Sequence, residues 1–197
     1  MKKAHLCRLI DKKILAGNVV DMKVQFSEDS KPGQFIHVSC GEGVFLRRPI
    51  SICDAGDGWL RFTFAVRGKG TKLLAQYKSG DFLNILGPLG NSFNTDKKGD
   101  KTTLVVGGGI GIFPLLYLSK SLGSNTEAIL GFRTKNLVVM EDEFKSVCSR
   151  VHIATDDGSC GHKGFVTDIL EERIAKGGIS SVYTCGPAPM MAAVKRI

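Results

Sequence analysis

Three short segments of the 197-residue chain combine residue types that can hold a ligand or work on one. In VVGGGIGIFPLL, the glycines Gly107, Gly108, Gly109 and Gly111 stand between two apolar runs. Glycines let a backbone approach a pyrophosphate closely, and a helix that follows at once offers free N–H groups and its positive dipole end. The pattern is not G-x-G-x-x-G, because the last position falls on Ile112 counted from Gly107 and on Pro114 counted from Gly109. No acid closes the next strand either: EAILGF runs on to Arg133 and Lys135, where a 2′-phosphate could be read. A purely structural glycine turn is the competing reading. The second segment is Asp156-Asp157-Gly158-Ser159. Adjacent aspartates rarely point at one substrate, so they read as ribose-binding or turn residues rather than as an acid pair. The third is Cys185-Gly186-Pro187. Cys185 has no base beside it in sequence, which makes it a positioning residue rather than a nucleophile.

A second constellation lies earlier in the chain, in RRPIS (residues 47–51) and RGKGTKLL (residues 67–74). Arg48, fixed before Pro49 in a strand context, is a cation suited to a diphosphate. Ser51 offers a hydroxyl and a backbone N–H toward a polar ring edge. Gly70 and Thr71, with Thr71 read as the N-cap, begin a helix that offers another anion contact. A surface arginine and an ordinary cap are the plain alternatives.

The elements that must carry these segments differ between the halves. Up to about residue 94, short apolar stretches such as VVDMKVQF, QFIHVSC, FLRRPISIC, WLRFTFAV and DFLNILGPLG alternate with KPG, GEG and DAGDG turn signals. That texture predicts antiparallel strands closing into a β-barrel, interrupted by a helix over residues 71–79 with Gly80 just beyond it. After the polar stretch NTDKKGDK (residues 94–101), strand and helix alternate: TTLVV with PLLYLSKSL, EAILGF with LVVMEDEFKSV, VHIAT with VTDILEERIAK, VYT with PMMAAVKRI. Such alternation predicts a parallel sheet covered by helices. The glycine turn, Asp156-Asp157 and Cys185-Gly186-Pro187 each follow a predicted strand, so they converge on the carboxyl edge, where ligands of open α/β sheets bind. The expected organisation is a β-barrel over residues 1–97 and an α/β nucleotide-binding domain over residues 98–197.

Composition narrows the classes. With 43% hydrophobic and 23% charged residues the chain reads as an ordinary globular protein. The net charge of +8 is scattered, at most in pairs such as Lys2-Lys3, Lys12-Lys13, Arg47-Arg48 and Lys97-Lys98, which argues against nucleic acid and for anionic small ligands. The longest uncharged apolar run, residues 104–118, holds four glycines and Pro114 and is too short to span a membrane. The six cysteines and four histidines form no C-x-x-C pair and no recognisable metal set, and without a secretory signal the thiols are expected to be reduced, in the cytoplasm.

R-P-I-S followed by G-K-G-T, with the PGQF turn at residues 32–35, resembles the FAD site of the ferredoxin reductase superfamily; GGGIG with CGP resembles its pyridine-nucleotide half. More narrowly, RRPISI, GKGT, GPLGNSF, GGGIG, DDGSCGHKGFVTD and CGPAPMM, in this order, resemble the electron-transfer subunits of NAD-linked dihydroorotate dehydrogenases over essentially the whole chain. The resemblance implies that Arg48, Pro49, Ile50 and Ser51 line FAD and its diphosphate, with Ala65, Val66 and Arg67 alongside and Gly70 and Thr71 on the diphosphate's other side. It implies that Gly107, Gly108, Gly109, Ile110 and Gly111 hold NAD(H) together with Cys185, Gly186 and Pro187, Cys185 on the nicotinamide side. It further implies electron flow from FAD through a 2Fe–2S cluster to an FMN-containing catalytic subunit that oxidises dihydroorotate in pyrimidine biosynthesis. Hydride transfer of this kind asks side chains for positioning more than for acid–base work. The family's cluster cysteines lie in a segment after the CGP helix, so a cluster-bearing segment is expected to be missing after residue 197. Two other readings compete: a different iron–sulfur flavin reductase, working between NAD(P)H and a ferredoxin, sulfide or hydrogenase partner, and a nucleotide-binding module without redox turnover.

Overall fold

The computed structural model describes residues 3–96 and 101–197, in two units, Met1–Phe93 and Asn94–Ile197. Lys2, the Lys97 and Lys98 pair, and the expected boundary between residues 97 and 98 lie outside the described residues.

In the first unit six antiparallel strands close on themselves: β1 (Ala4–Ile14), β2 (Val19–Gln25), β3 (Phe35–Val38), β4 (Arg48–Gly56), β5 (Trp59–Ala65) and β6 (Phe82–Leu89), in ring order β1-β2-β5-β4-β3-β6. Closure removes the sheet edges, and the inward residues Leu9, Met22, Ile36, Ile52, Leu60, Phe62, Leu83 and Ile85 fill the interior. β1, an 11-residue strand, was not among the predicted strands. Asp21, buried on β2, is satisfied by the Nε of Arg61 at 2.9 Å and the hydroxyl of Thr63 at 2.7 Å, both on β5.

The helix of this unit is shorter than its sequence predicts. α1 is Lys69–Leu74, its N-cap is Gly68, and Thr71 is therefore its third residue rather than its cap. The Thr71 hydroxyl reaches back to accept the N–H groups of Arg67 at 2.9 Å and Gly68 at 3.1 Å, which starts the helix two residues early. The ammonium of Lys12 then binds the carbonyls of Ala75 and Tyr77 at 2.9 and 2.8 Å, satisfying acceptors just past its end.

The second unit is a five-stranded parallel sheet in the order β10-β9-β8-β7-β11: β7 (Thr102–Gly108), β8 (Thr126–Phe132), β9 (Arg150–Thr155), β10 (His162–Lys163) and β11 (Ile179–Cys185). α2 (Ile112–Leu122) packs against α3 (Glu141–Val147). α4 (Val166–Ala175) and α5 (Ala188–Arg196) pack together, where Val166, Ile169, Leu170 and Val194 meet Leu104, Val106 and Ile129 of the sheet. The predicted helix LVVMEDEFKSV begins only at Glu141. Its apolar head instead forms a turn whose Val139 and Met140 are buried, and Met140 takes a left-handed conformation with φ of 60°. Glu141, Asp142 and Glu143 then fill the first turn of α3, where carboxylates suit the helix dipole.

One charged contact ties α4 to the sheet. Glu127 on β8 is buried and receives Nε and Nη2 of Arg173 at 2.9 and 3.1 Å, with the His152 ring 3.5 Å away. Burial alone would raise the Glu127 carboxyl, but the paired hydrogen bonds and charge of Arg173, helped by His152, hold it below its ordinary value. A carboxylate depressed in the folded state contributes stability that is complete above its unfolded pKa of about 4.3 and is lost as pH falls through the folded value. Arg173→Met leaves the carboxylate buried without its cation. Urea unfolding at pH 7 should then show a loss of about 3 kcal/mol, and the variant's fall in stability below about pH 4.3 should be shallower than the parent's.

Candidate functional site

Each predicted ligand segment of the second unit follows a strand on one edge of the sheet. β7 ends at Gly108, β9 at Thr155 and β11 at Cys185, and all run parallel. From β7 the chain winds outward through β8 and β9, then crosses back to place β11 on β7's other side. The β7/β11 seam is the point where strand order reverses, and ligands of open α/β sheets bind at such points. Cys185 pairs there with Gly107, so residues 107–111 and 185–187 are brought together.

The glycines divide by role. A Cβ on Gly107 would stand 2.9 Å from both Ile112 and Leu115, and one on Gly108 would stand 2.5 Å from the Met190 sulfur. A Cβ on Gly111 would collide with the Cys185 carbonyl and lie 2.6 Å from the Cα of Gly186; one on Gly186 would lie 3.1 Å from the Gly108 nitrogen. Gly111 and Gly186 are thus where the two loops meet backbone to backbone, while at Gly107 and Gly108 side chains of α2 and α5 would have to give way. Gly109 is different: its φ is +55° and nothing lies within 4 Å of its Cβ position. There the backbone turns in open space, Ile110 stands exposed, and α2 begins three residues later. A close backbone approach by a ligand is possible at this one glycine without meeting a side chain. Burial pushes the Cys185 thiol up, so it keeps its proton at neutral pH and is a poor nucleophile.

Asp156 and Asp157 sit beside the end of β8, with the Asp157 N–H directed at the Arg133 carbonyl at 3.4 Å. Asp157 shapes its own turn by accepting the Ser159 hydroxyl at 2.6 Å and the Ser159 N–H at 2.9 Å, which hold its carboxyl below the usual range. The Ser159 oxygen in turn accepts the N–H of Lys135 at 2.7 Å. Both aspartates are exposed; Asp157 is the one whose carboxylate is engaged by the turn. Later in the same run, Asp168 accepts the N–H of Phe165 at 2.9 Å and faces His162 at 3.2 Å, steadying the entry to α4.

In the barrel, the ladder between β4 and β5 runs from Gly56–Trp59 to Ile52–Phe62 and stops. Beyond it Arg48, Pro49, Ile50 and Ser51 pair with β3, while Thr63, Phe64 and Ala65 pair with β2. The two strands part there, and the edges that no longer ladder with each other can meet a ligand with a polar ring. At the same end Arg48 lies against α1: a Cβ on Gly70 would stand 2.8 Å from its Nε. One Arg48 amine donates to the Leu46 carbonyl at 2.9 Å. The predicted cation and the predicted Gly70-Thr71 turn are therefore adjacent. Thr71 is there as the former of the turn, its oxygen accepting two backbone N–H groups. Sequence reasoning missed Asn18, which both donates to the Val66 carbonyl at 2.8 Å and accepts the Val66 N–H through its own carbonyl at 2.7 Å, fixing the end of β5. Its only signal was a Gly-Asn turn.

The residues fit a flavin dinucleotide, since parted strand edges and a cation packed on a glycine turn are what a polar ring and a diphosphate need. They do not fit an iron–sulfur cluster. Among the described residues no three His, Cys, Asp or Glu side chains gather as a metal-holding group, and Cys7, Cys40, Cys53 and Cys148 are buried singly.

Residues 105–196 match the family model of the oxidoreductase NAD-binding domain. The dihydroorotate dehydrogenase B (NAD(+)) electron transfer subunit of Lysinibacillus sphaericus is 41% identical over 95% of this chain and 76% of its own length. The corresponding subunit of Caldanaerobacter subterraneus is 39% identical over 96% and 75%. The chain belongs to this electron-transfer subunit family. A solved NADH-dependent reduced ferredoxin–NADP oxidoreductase superposes with a TM-score of 0.81 at 32% identity, covering 97% of this chain and 71% of that one. A ferredoxin reductase of carbazole 1,9a-dioxygenase, at 20% identity and a TM-score of 0.83 over 98% and 64%, shares the fold.

The glycine geometry separates two substitutions. Gly111→Ala should destabilise the second unit by about 1–3 kcal/mol because the Cys185 loop must move. Gly109→Ala should cost only about 1 kcal/mol, for its left-handed backbone. Thermal unfolding of the two variants checks the order; equal losses would mean the loop contact is not what requires Gly111.

Proposed function

We propose that this chain moves electrons between NAD(H) and an FMN-containing dihydroorotate dehydrogenase catalytic subunit by way of FAD, serving pyrimidine biosynthesis as one half of a hetero-oligomer. The observation that carries the reading is the 39–41% identity, over 95–96% of the chain, to curated subunits named for that electron transfer. In this reading residues 1–97 form the FAD domain and residues 98–197 the NAD domain. The cytoplasm is the matching compartment for six free cysteines.

The geometry supports a role for each residue. Arg48, backed by Gly70 and the Thr71-bound turn, neutralises the diphosphate of FAD, while Pro49, Ile50, Ser51, Ala65, Val66 and Arg67 line the parted strands around it. The open turn at Gly109 and Ile110, at the start of α2, receives the NAD(H) pyrophosphate, and Gly107, Gly108, Gly111, Gly186 and Pro187 set the width of that site. Asp156 faces the ribose side and Asp157 holds the turn that carries it. Cys185 contributes a neutral, weakly polar surface beside the nicotinamide, which excludes water without competing for the hydride. When bound, FAD exchanges a hydride with the nicotinamide and passes electrons onward singly. The 2Fe–2S cluster that the family resemblance implies has no ligand set among the described residues, and no step is drawn through it.

The similarity to a ferredoxin–NADP oxidoreductase favours one second reading, an iron–sulfur flavin reductase with another partner. Purification of the chain with and without the FMN-containing subunit separates the two. Flavin absorbance bleached by NADH, with dihydroorotate-dependent NAD reduction only in the complex, is the expected result; a colourless chain that FAD does not reconstitute defeats both. Arg48→Ala should weaken FAD binding by roughly 1.5–3 kcal/mol, measured by flavin fluorescence titration. Cys185→Ser should retain FAD yet be reduced more slowly by NADH in stopped flow, and equal rates would leave Cys185 with a packing role only.

A further inference from the structure

Six large apolar side chains of the first unit stand exposed, and they are not scattered: Leu6, Ile10 and Ile14 lie on β1, Phe82 on β6, and Phe45 and Leu46 in the segment entering β4. β1 and β6 pair with Leu6 opposite Asn84 and Arg8 opposite Phe82, so Leu6, Phe82 and Ile10 share the outward face of one ribbon. Its inward face, Cys7, Leu9, Leu83 and Ile85, is buried in the barrel. An antiparallel ribbon with one face in the core ordinarily turns a polar face to water. Here Leu6 is 68% exposed, Phe82 55% and Ile10 44%. Arg47 extends the surface: its guanidinium binds the Asn84 carbonyl at 2.9 Å and the Asn84 side-chain oxygen at 2.7 Å, which ties Phe45 (99% exposed) and Leu46 (66%) to the same wall. Beside Leu6 a recess of about 540 Å³ opens between His5, Cys7, Gln25, Phe26 and Gly58, a socket of the kind that takes one anchoring side chain.

Charge selects the occupant. Residues 4–10, 44–47 and 82–89 contain Arg8 and Arg47 and no aspartate or glutamate, and Asp81 and Glu28 stand at the border, beside Phe82 and His5. A second copy of the chain packed face to face would set arginine against arginine, with carboxylates only at the border to receive them. The surface fits a different protein, one that presents apolar side chains edged by acids. In the ring of strands β1 lies opposite β4, so the β1 part of the surface leaves the flavin strand free, while Phe45 and Leu46 carry the surface up to Arg48 at the flavin-binding end.

We propose that the outward wall of β1 and β6, with Phe45 and Leu46, is the docking surface for the FMN-containing catalytic subunit, a proposal that rests on the function given above. The test uses the full chain loaded with FAD and two variants, the double substitution Leu6→Asp with Phe82→Asp, and Arg8→Glu alone. Both should keep FAD and reduce an artificial acceptor with NADH at the parent rate. The double variant should bind the FMN-containing subunit at least 100-fold more weakly and lose dihydroorotate-linked turnover. Arg8→Glu should bind about tenfold more weakly, with a smaller dependence on salt. A double variant that retains FAD and binds as tightly as the parent overturns the surface. If the double variant loses FAD, Arg8→Glu decides, and unchanged affinity and salt dependence overturn it. A parent chain that self-associates in sedimentation, and ceases to in the variants, overturns it in favour of a second copy. A parent chain that never binds the FMN-containing subunit overturns the function itself, a result distinct from variants that bind as well as the parent.

Discussion

The second unit depends on the absence of side chains at Gly111 and Gly186. Because β11 returns to the far side of β7, the turn after β7 and the turn after β11 must leave the sheet at the same place. Their backbones come so close that a methyl group on Gly111 would overlap the Cys185 carbonyl. A side chain in this seam would push β11 from β7 or α2 from the sheet, since close-packed interiors do not absorb an extra carbon without displacement. With the seam closed, the N-terminus of α2, the open turn at Gly109 and the protonated thiol of Cys185 occupy one edge. Tight packing and ligand access are divided between neighbouring glycines.

The barrel reaches a comparable result by withholding hydrogen bonds rather than side chains. Where β4 and β5 part, each strand keeps its outer partner and exposes an inner edge. Backbone polar groups left so must find partners in water or in a ligand. Asn18 and Thr71 hold the two borders of this opening, one at Val66 and one at Arg67 and Gly68. Both are held by these bonds, and the Arg48 guanidinium lies at the same border, against α1. Gly70 matters for this contact: without a Cβ it lets the guanidinium lie on the helical turn.

What could be read in the sequence follows from which faces are buried. Strands of a parallel sheet are covered on both sides and appear as unbroken apolar runs, so TTLVV, EAILGF and VHIAT marked the second unit. The strand–turn order then placed the glycine loop and Cys185-Gly186-Pro187 on one edge, as the structure has them. β1 was illegible because Leu6 and Ile10 face outward while Cys7 and Leu9 face inward, so apolar residues occupy both phases of the alternation. The start of α3 was misread because Val139 and Met140 are apolar for packing in a turn, not for a helical face. Thr71 was misplaced because a threonine hydroxyl caps from the third helical position as well as from the first. Asn18, Asp157 and the parting of β4 from β5 are products of tertiary pairing that no local pattern carries.

The cations Arg133 and Lys135 illustrate why a residue type is not yet a specificity. By sequence alone they stand where a 2′-phosphate would be read. In the fold they share their ground with the Asp156-Asp157 turn: the Arg133 carbonyl meets the Asp157 N–H, and the Lys135 N–H ends on the Ser159 hydroxyl that itself binds the Asp157 carboxylate. That carboxylate is held ionised by the same hydrogen bonds. An incoming 2′-phosphate would therefore meet a fixed negative charge beside the two cations, whereas a ribose hydroxyl could donate to a carboxylate. With Asp156 and Asp157 in the same turn, the two cations do not by themselves select a phosphorylated dinucleotide.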